Sequence, residues 1–163
     1  MELKFFIFRL ACAILCGIVI GIERKMRQRS AGLVTNTLVA VGACLFILIS
    51  ESVILASIHS ATPEMLANAR GGALVNNDNL RVLSQIVTGI GFLGAGVILR
   101  DGFTIHGLNS AATLWCAAAV GCLCGYGLWQ EALISAVTIA LINWILKLVE
   151  QFMDKPRKSN PKE

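Results

Sequence analysis

Charge is what this sequence of 163 residues has least of. Asp, Glu, Lys and Arg make up 15% of it and apolar residues 56%, where a soluble domain carries about a quarter charged. That balance excludes an ordinary water-soluble domain. Histidine is nearly missing as well: His59 and His106 fall in different loops and no C-x-x-C pair exists, so a zinc site or any other metal site is not expected. No G-x-x-x-x-G-K-[ST] motif occurs, which removes support for ATP hydrolysis by this chain, and no cofactor or nucleic-acid partner is expected. Acidic residues avoid the interior of the apolar runs; Glu23, Glu51, Glu131 and Glu150 stand at their ends or beyond. Proton- and cation-coupled carriers usually place a carboxylate inside the membrane, so a chain that moves magnesium by itself is disfavoured.

What is present is long uncharged runs. About 20 apolar residues cross a hydrocarbon core of roughly 30 Å, and five runs approach that length: 5–22, 33–50, 82–99, 107–126 and 128–149. Open backbone hydrogen bonds are not tolerated in lipid and no period-two alternation appears, so the runs predict helices rather than barrel strands. The expected fold is an all-α integral membrane protein, a five-helix bundle over residues 1–150 whose immediate partner is the lipid bilayer, followed by a basic, disordered tail over 151–163.

Lysine and arginine set the orientation. "ERKMRQRS" carries Arg24, Lys25, Arg27 and Arg29 within eight residues, the strongest positive-inside signal in the chain. Alternation then places Arg100 and the tail with Lys147, Lys155, Arg157, Lys158 and Lys162 in the cytoplasm, and the N-terminus outside. Lys4 and Arg9 before an apolar run resemble the start of a signal peptide, but no A-x-A site precedes Glu23, so the first helix is read as retained.

The six cysteines, Cys12, Cys16, Cys44, Cys116, Cys122 and Cys124, all fall in these runs and read as small buried hydrophobes. "QIVTGIGFLGAGVILRDG" contains Gly89, Gly91 and Gly94 in a literal G-x-G-x-x-G. A dinucleotide site would need a preceding strand and an acidic residue about 20 positions on. The glycines instead sit in mid-run, and position 114 is leucine. At about 100° per residue Gly89 and Gly96 share one face, with Gly91 and Gly94 roughly opposite, which predicts a third helix packed on two sides at the centre of the bundle. Ala13, Gly17 and Gly21 in the first helix, and Ala117, Gly121 and Gly125 in the fourth, recur at four-residue steps, the small-xxx-small pattern of close helix contact. Such faces serve a tight bundle or a homo-oligomer equally well.

Polar residues converge at the cytoplasmic side of this topology: Glu23 and Arg24, Thr35 and Asn36, Arg100 and Asp101, Asn109, Ser110 and Thr113, with Asn143 in the inner third of the fifth helix. Gln85 and Thr88 lie nearer the outer surface. Two readings stand side by side: interhelical hydrogen bonds of about 0.6 kcal/mol each with interfacial anchors, or a cytoplasm-facing binding pocket.

"GIERKMRQRSAGLVTNTLVAVGACLF", "SQIVTGIGFLGAGVILRDG" and "GLNSAATLWCAAAVGCLCGYG" together resemble the three signature blocks of the MgtC/SapB family of bacterial inner-membrane proteins, over roughly residues 17 to 127. The resemblance implies a multi-pass inner-membrane regulator tied to growth at low magnesium and to virulence. It also implies restraint of the ATP synthase through the membrane part and control by a small membrane peptide. It places the family's E-R pair on Glu23 and Arg24, its A-G-L-R-T block on Ala31 to Thr35, its G-I-G-F-L-G-A-G block on Gly89 to Gly96, and its functional asparagine on Asn109. Val34 stands where the family has arginine, and 59–80 reads as a longer, flexible outer loop. The sequence closes on "DKPRKSNPKE", so the cytosolic domain that the resemblance would add is not expected here, and functions housed there are not carried over.

The reading that results is a membrane regulator, not an enzyme, that engages another membrane complex through helix faces. A magnesium channel or transporter subunit is the alternative, and a chaperone for a larger membrane complex a third.

Overall fold

A computed structural model describes residues 2–26, 31–60 and 73–153. Five helices carry the chain: α1 (Leu3–Met26), α2 (Leu33–Ser60), α3 (Ala73–Val97), α4 (Leu108–Gly125) and α5 (Trp129–Met153). Each has a stretch long and apolar enough to cross a membrane. Large apolar side chains such as Phe92, Trp144 and Phe152 are half or more exposed on the outside of the bundle, as lipid rather than water requires. This is a multi-pass helical membrane protein.

Small residues decide how the helices touch. A Cβ added to Gly17 would come within 2.6 Å of Thr37 Cα, and one on Gly21 within 2.6 Å of Leu33 Cα, so α1 lies antiparallel against α2, backbone to backbone. A Cβ on Gly121 would come within 2.8 Å of Ala40 Cα, and one on Gly125 within 2.7 Å of Ile47 Cβ, so α4 runs parallel to α2 and equally close. Without a hydrophobic drive between helices in lipid, such approach is what dispersion and packing act through. Cys16, Ile20, Cys44, Leu48, Ala117, Val120 and Cys124 fill the space among the three. Ala132 and Ala136 add α5 to the outside of α1 and α4. Ile90 with Ala43, Ile47, Ala118 and Cys122 adds α3 to the outside of α2 and α4.

This arrangement corrects the expectation that the third helix is central. Of the α4 span 56% is buried, against 11% of the α3 span. A Cβ on Gly89, Gly91 or Gly96 would meet nothing within 4 Å among the described residues, and one on Gly94 would make ordinary contact with Ala111, 3.5 Å from its Cβ. Glycine permits close approach; it does not compel it. The faces of α1, α2 and α4 meet one another first and leave α3 a place at the edge.

Boundaries differ from expectation in three places. α2 does not stop at Ser50 but continues to Ser60, since Val53, Ile54, Leu55 and Ile58 keep its apolar character past Glu51. At about 42 Å, α2 is longer than the hydrocarbon is thick. α3 starts at Ala73, inside the stretch read as a loop, while 61–72 lie outside the described residues. The third run ends as helix at Val97, after which Leu99–Asp101 and Thr104–His106 pair as an antiparallel two-stranded hairpin, β1 and β2. Its two-residue turn is Gly102 and Phe103, with Gly102 at φ 58 in the first turn position, where such hairpins favour glycine. Gly107, at φ 91, makes the return into α4; a Cβ there would strike Val97 O. Of the expected tail, 151–153 complete α5, and 154–163 lie outside the described residues.

Candidate functional site

The close seam between α1 and α2 carries the end of α1 to the start of α4. Arg24 sits in the last turn of α1, where the helix dipole favours a cation. It is 2% exposed. Its Nη2 donates to Ser110 Oγ at 2.6 Å and its Nη1 to Asn109 Oδ1 at 3.2 Å, both in the first turn of α4. Thr113 Oγ1, also buried, donates to Asn109 O at 2.7 Å and steadies that turn. Burying a guanidinium calls for acceptors, and its planar fork suits two on adjacent residues, which here take Nη1 and Nη2. Bonds of this charge-assisted kind contribute about 1.5–3 kcal/mol each.

The sequence candidates therefore divide. Arg24, Asn109, Ser110 and Thr113 are brought together. Glu23 lies half-buried next to Arg24 in sequence. Asn36 is fully buried, but its Nδ2 donates to Gly32 O at 2.7 Å and Ala31 O at 3.4 Å, closing the turn that opens α2. Its Oδ1 is buried with no hydrogen-bond partner among the described residues. Thr35 is exposed on the outside of α2. Arg100 and Asp101 stand in the exposed hairpin, not the buried cluster, and Arg100 Nε donates to Gly102 O at 2.9 Å. Thr88 is exposed and bonds back to Ser84 O, and Gln85 is exposed beside it.

At the opposite end of the bundle is an ion pair that the sequence reading missed. Arg9 of α1 pairs with Glu51 of α2, and the same Nη1 donates to Gly125 O at 2.9 Å, so one side chain ties three helices. The carboxylate expected at a helix end instead stands within α2, because that helix runs on to Ser60. The unbroken apolar pattern after Glu51 was the available signal. Glu51 is 38% exposed, which places the pair at the wetter end of its range. Glu51→Gln keeps an acceptor for Arg9 and is expected to cost about 1 kcal/mol, a loss of roughly 2–4 °C in thermal midpoint. Combining it with Arg9→Gln should cost little more than Arg9→Gln alone, whereas full additivity in detergent melting curves would show that the two are not coupled.

The family model that matches the chain, over residues 10–152, is that of the MgtC family. The chain belongs to the MgtC family. Protein MgtC of Brucella abortus is 46% identical over 147 residues, 89% of this chain and 52% of the Brucella protein. Protein MgtC of Salmonella typhimurium is 44% identical over 146 residues, 90% of this chain and 54% of its own length. An uncharacterized protein of Synechocystis is 44% identical over 156 residues, 94% of this chain and 57% of that one. The chain thus spans about half the length of the curated relatives it matches. No solved structure matches it. Both the Arg24 cluster and the Arg9 pair fall inside or at the edge of the matched MgtC region, so they belong to the membrane part that the chain shares with these relatives.

Proposed function

We propose that this chain is a non-enzymatic inner-membrane regulator of the MgtC type, which acts on another membrane complex through lateral helix contact in cells adapting to low magnesium or to a host. The family supplies the partner class, with the ATP synthase as the complex that the resemblance implies. One observation carries the mode of action: α3 turns Gly89, Gly91 and Gly96 toward open space, with no described atom within 4 Å of where their side chains would begin. Elsewhere in the bundle glycines are the points of backbone contact, and Gly89 and Gly96 share one face of α3, so that open face suits a helix that the described residues do not supply. In this reading the Arg24 end faces the cytoplasm and holds α1, α2 and α4 in one arrangement, so that α3 is presented from a rigid support.

The alternative, a magnesium channel or transporter subunit, has the buried Asn36 Oδ1 in its favour, since an amide oxygen is a ligand for a hydrated divalent ion. Against it, the same end of the bundle buries the positive charge of Arg24, which repels such an ion. The readings differ in outcome. Under the regulatory one, the protein reconstituted in liposomes passes no magnesium, affinity capture from native membranes grown in low magnesium recovers a membrane complex, and Gly89→Leu loses that complex while staying folded. Selective magnesium flux that Asn109→Ala abolishes would replace it with transport.

A further inference from the structure

Three thiols dispersed in the sequence meet inside the bundle. Cys12 and Cys16 stand one turn apart on α1, and Cys124, 112 residues beyond Cys12, comes from the last turn of α4. All three sulfurs lie within 4.8 Å of one another, with Cys124 Sγ 3.6 Å from Cys12 Sγ. Cys16 and Cys124 are wholly buried and Cys12 is half-buried. The walls are aliphatic, with Ala13, Ile20, Ala117 and Val120 in the same cluster. Arg9, bonded to Gly125 O, ties α1 to the end of α4 beside the triangle.

Packing asks only that a cysteine fill its volume, whereas a metal asks for a distance. An ion bound to sulfur at about 2.3 Å holds its ligands roughly 3.8–4.0 Å apart at tetrahedral or trigonal angles. The one close pair, at 3.6 Å, lies just below that range and all three sulfurs fall within 4.8 Å, so side-chain rotations of about 1 Å or less would complete the geometry.

We propose that Cys12, Cys16 and Cys124 form a binding site for a thiophilic d10 cation, Cu(I). Soft sulfur ligands select Cu(I) over hard cations. The group consists of three sulfurs with no histidine or carboxylate among the described residues to make a fourth ligand. Zinc in a closed site takes four, while Cu(I) is stable in a plane of three. The ligands are thiolates, so binding releases three thiol protons to solvent as three Cu–S bonds form, and the loaded site carries two net negative charges. Half-buried Cys12 provides the entrance. Once loaded, the ion cross-links α1 to α4 at the end where Arg9 already joins them. The site stands apart from the Arg24 cluster and does not depend on the regulatory reading.

The test uses the full chain in detergent under reducing, anaerobic conditions, with Cu(I) offered as its bicinchoninate complex. One Cu(I) per chain should pass to the protein, and X-ray absorption of the loaded wild type should show three sulfur ligands. Cys12→Ser, Cys16→Ser and Cys124→Ser should each weaken retention by roughly 100-fold, the top of the range that even outer-shell changes reach. Cys116→Ser, outside the triangle, should not. If the two buried positions do not tolerate serine, half-buried Cys12 and the wild-type absorption spectrum decide the matter by themselves. Failure of the wild type to withdraw Cu(I), equal retention by Cys12→Ser, fewer than three sulfurs on the ion, or preferred binding of Zn(II) would each overturn the proposal.

Discussion

Gly121→Leu is expected to leave no folded bundle. The first atom of any side chain at this position would come within 2.8 Å of both Ala40 Cα and Ala40 C, and those are backbone atoms of α2, which no rotamer change can move aside. Nor can α2 retreat as a whole without opening the Gly125 contact with Ile47 on one side and the Gly17 contact with Thr37 on the other. Overpacking by a single small group costs about 1–3 kcal/mol, the expectation for Gly121→Ala. A leucine adds three further carbons in the same place, against a total stability on the order of 5–15 kcal/mol. The measurement is the monodisperse peak in size-exclusion chromatography and the melting transition in detergent. Gly121→Leu should lose both, while Gly89→Leu, which meets nothing among the described residues, should keep both. A Gly121→Leu protein that melted within a few degrees of the wild type would show that α2 and α4 are not in backbone contact.

The second large effect is expected at Arg24. Arg24→Leu removes two charge-assisted bonds and leaves Ser110 Oγ and Asn109 Oδ1 to find other partners at a buried helix start, for a loss of about 3–6 kcal/mol. Arg24→Lys restores the charge but not the fork, and a single ammonium does not reach both acceptors with the same geometry. It should recover no more than about half of the loss. Melting curves of the two variants check the structural part, and capture of the membrane partner checks the functional part. An Arg24→Lys protein that is nearly as stable as the wild type yet retains no partner would locate the function in the fork itself. A wild-type midpoint for Arg24→Leu would remove the cluster from any structural account.

Much of the Arg24 cluster was legible because topology alone sorts helix ends. A basic loop fixes which ends are neighbours, and buried polar side chains at those ends then find one another. Arg24, Asn109 and Thr113 follow this rule, and Asn36 follows it in depth though it bonds to its own turn. Arg100 and Asp101 fail it because a reading in terms of helices alone has no place for a hairpin; Gly102, flanked by residues at home in strands, was the overlooked signal. Arg9 and Glu51 were missed for a related reason, since a charge was taken as the end of an apolar run. An ion pair that spans two helices makes a charge compatible with the helix interior.

The cysteine triangle was out of reach altogether. Cys12 and Cys16 share a helix face by spacing, but whether that face meets α3, α4 or lipid is a matter of which small-residue seams close first.

Composition, run length and the placement of lysine and arginine are sufficient to specify five membrane-crossing helices, because the hydrocarbon core sets the length of an apolar segment and forbids open backbone bonds whatever its neighbours are. Which helices form the centre was decided only in three dimensions. In lipid every apolar face is equally content with a tail or a neighbour, so the choice falls to shape: Gly17, Gly21, Gly121 and Gly125 find backbones that fit them, and Gly89, Gly91 and Gly96 do not.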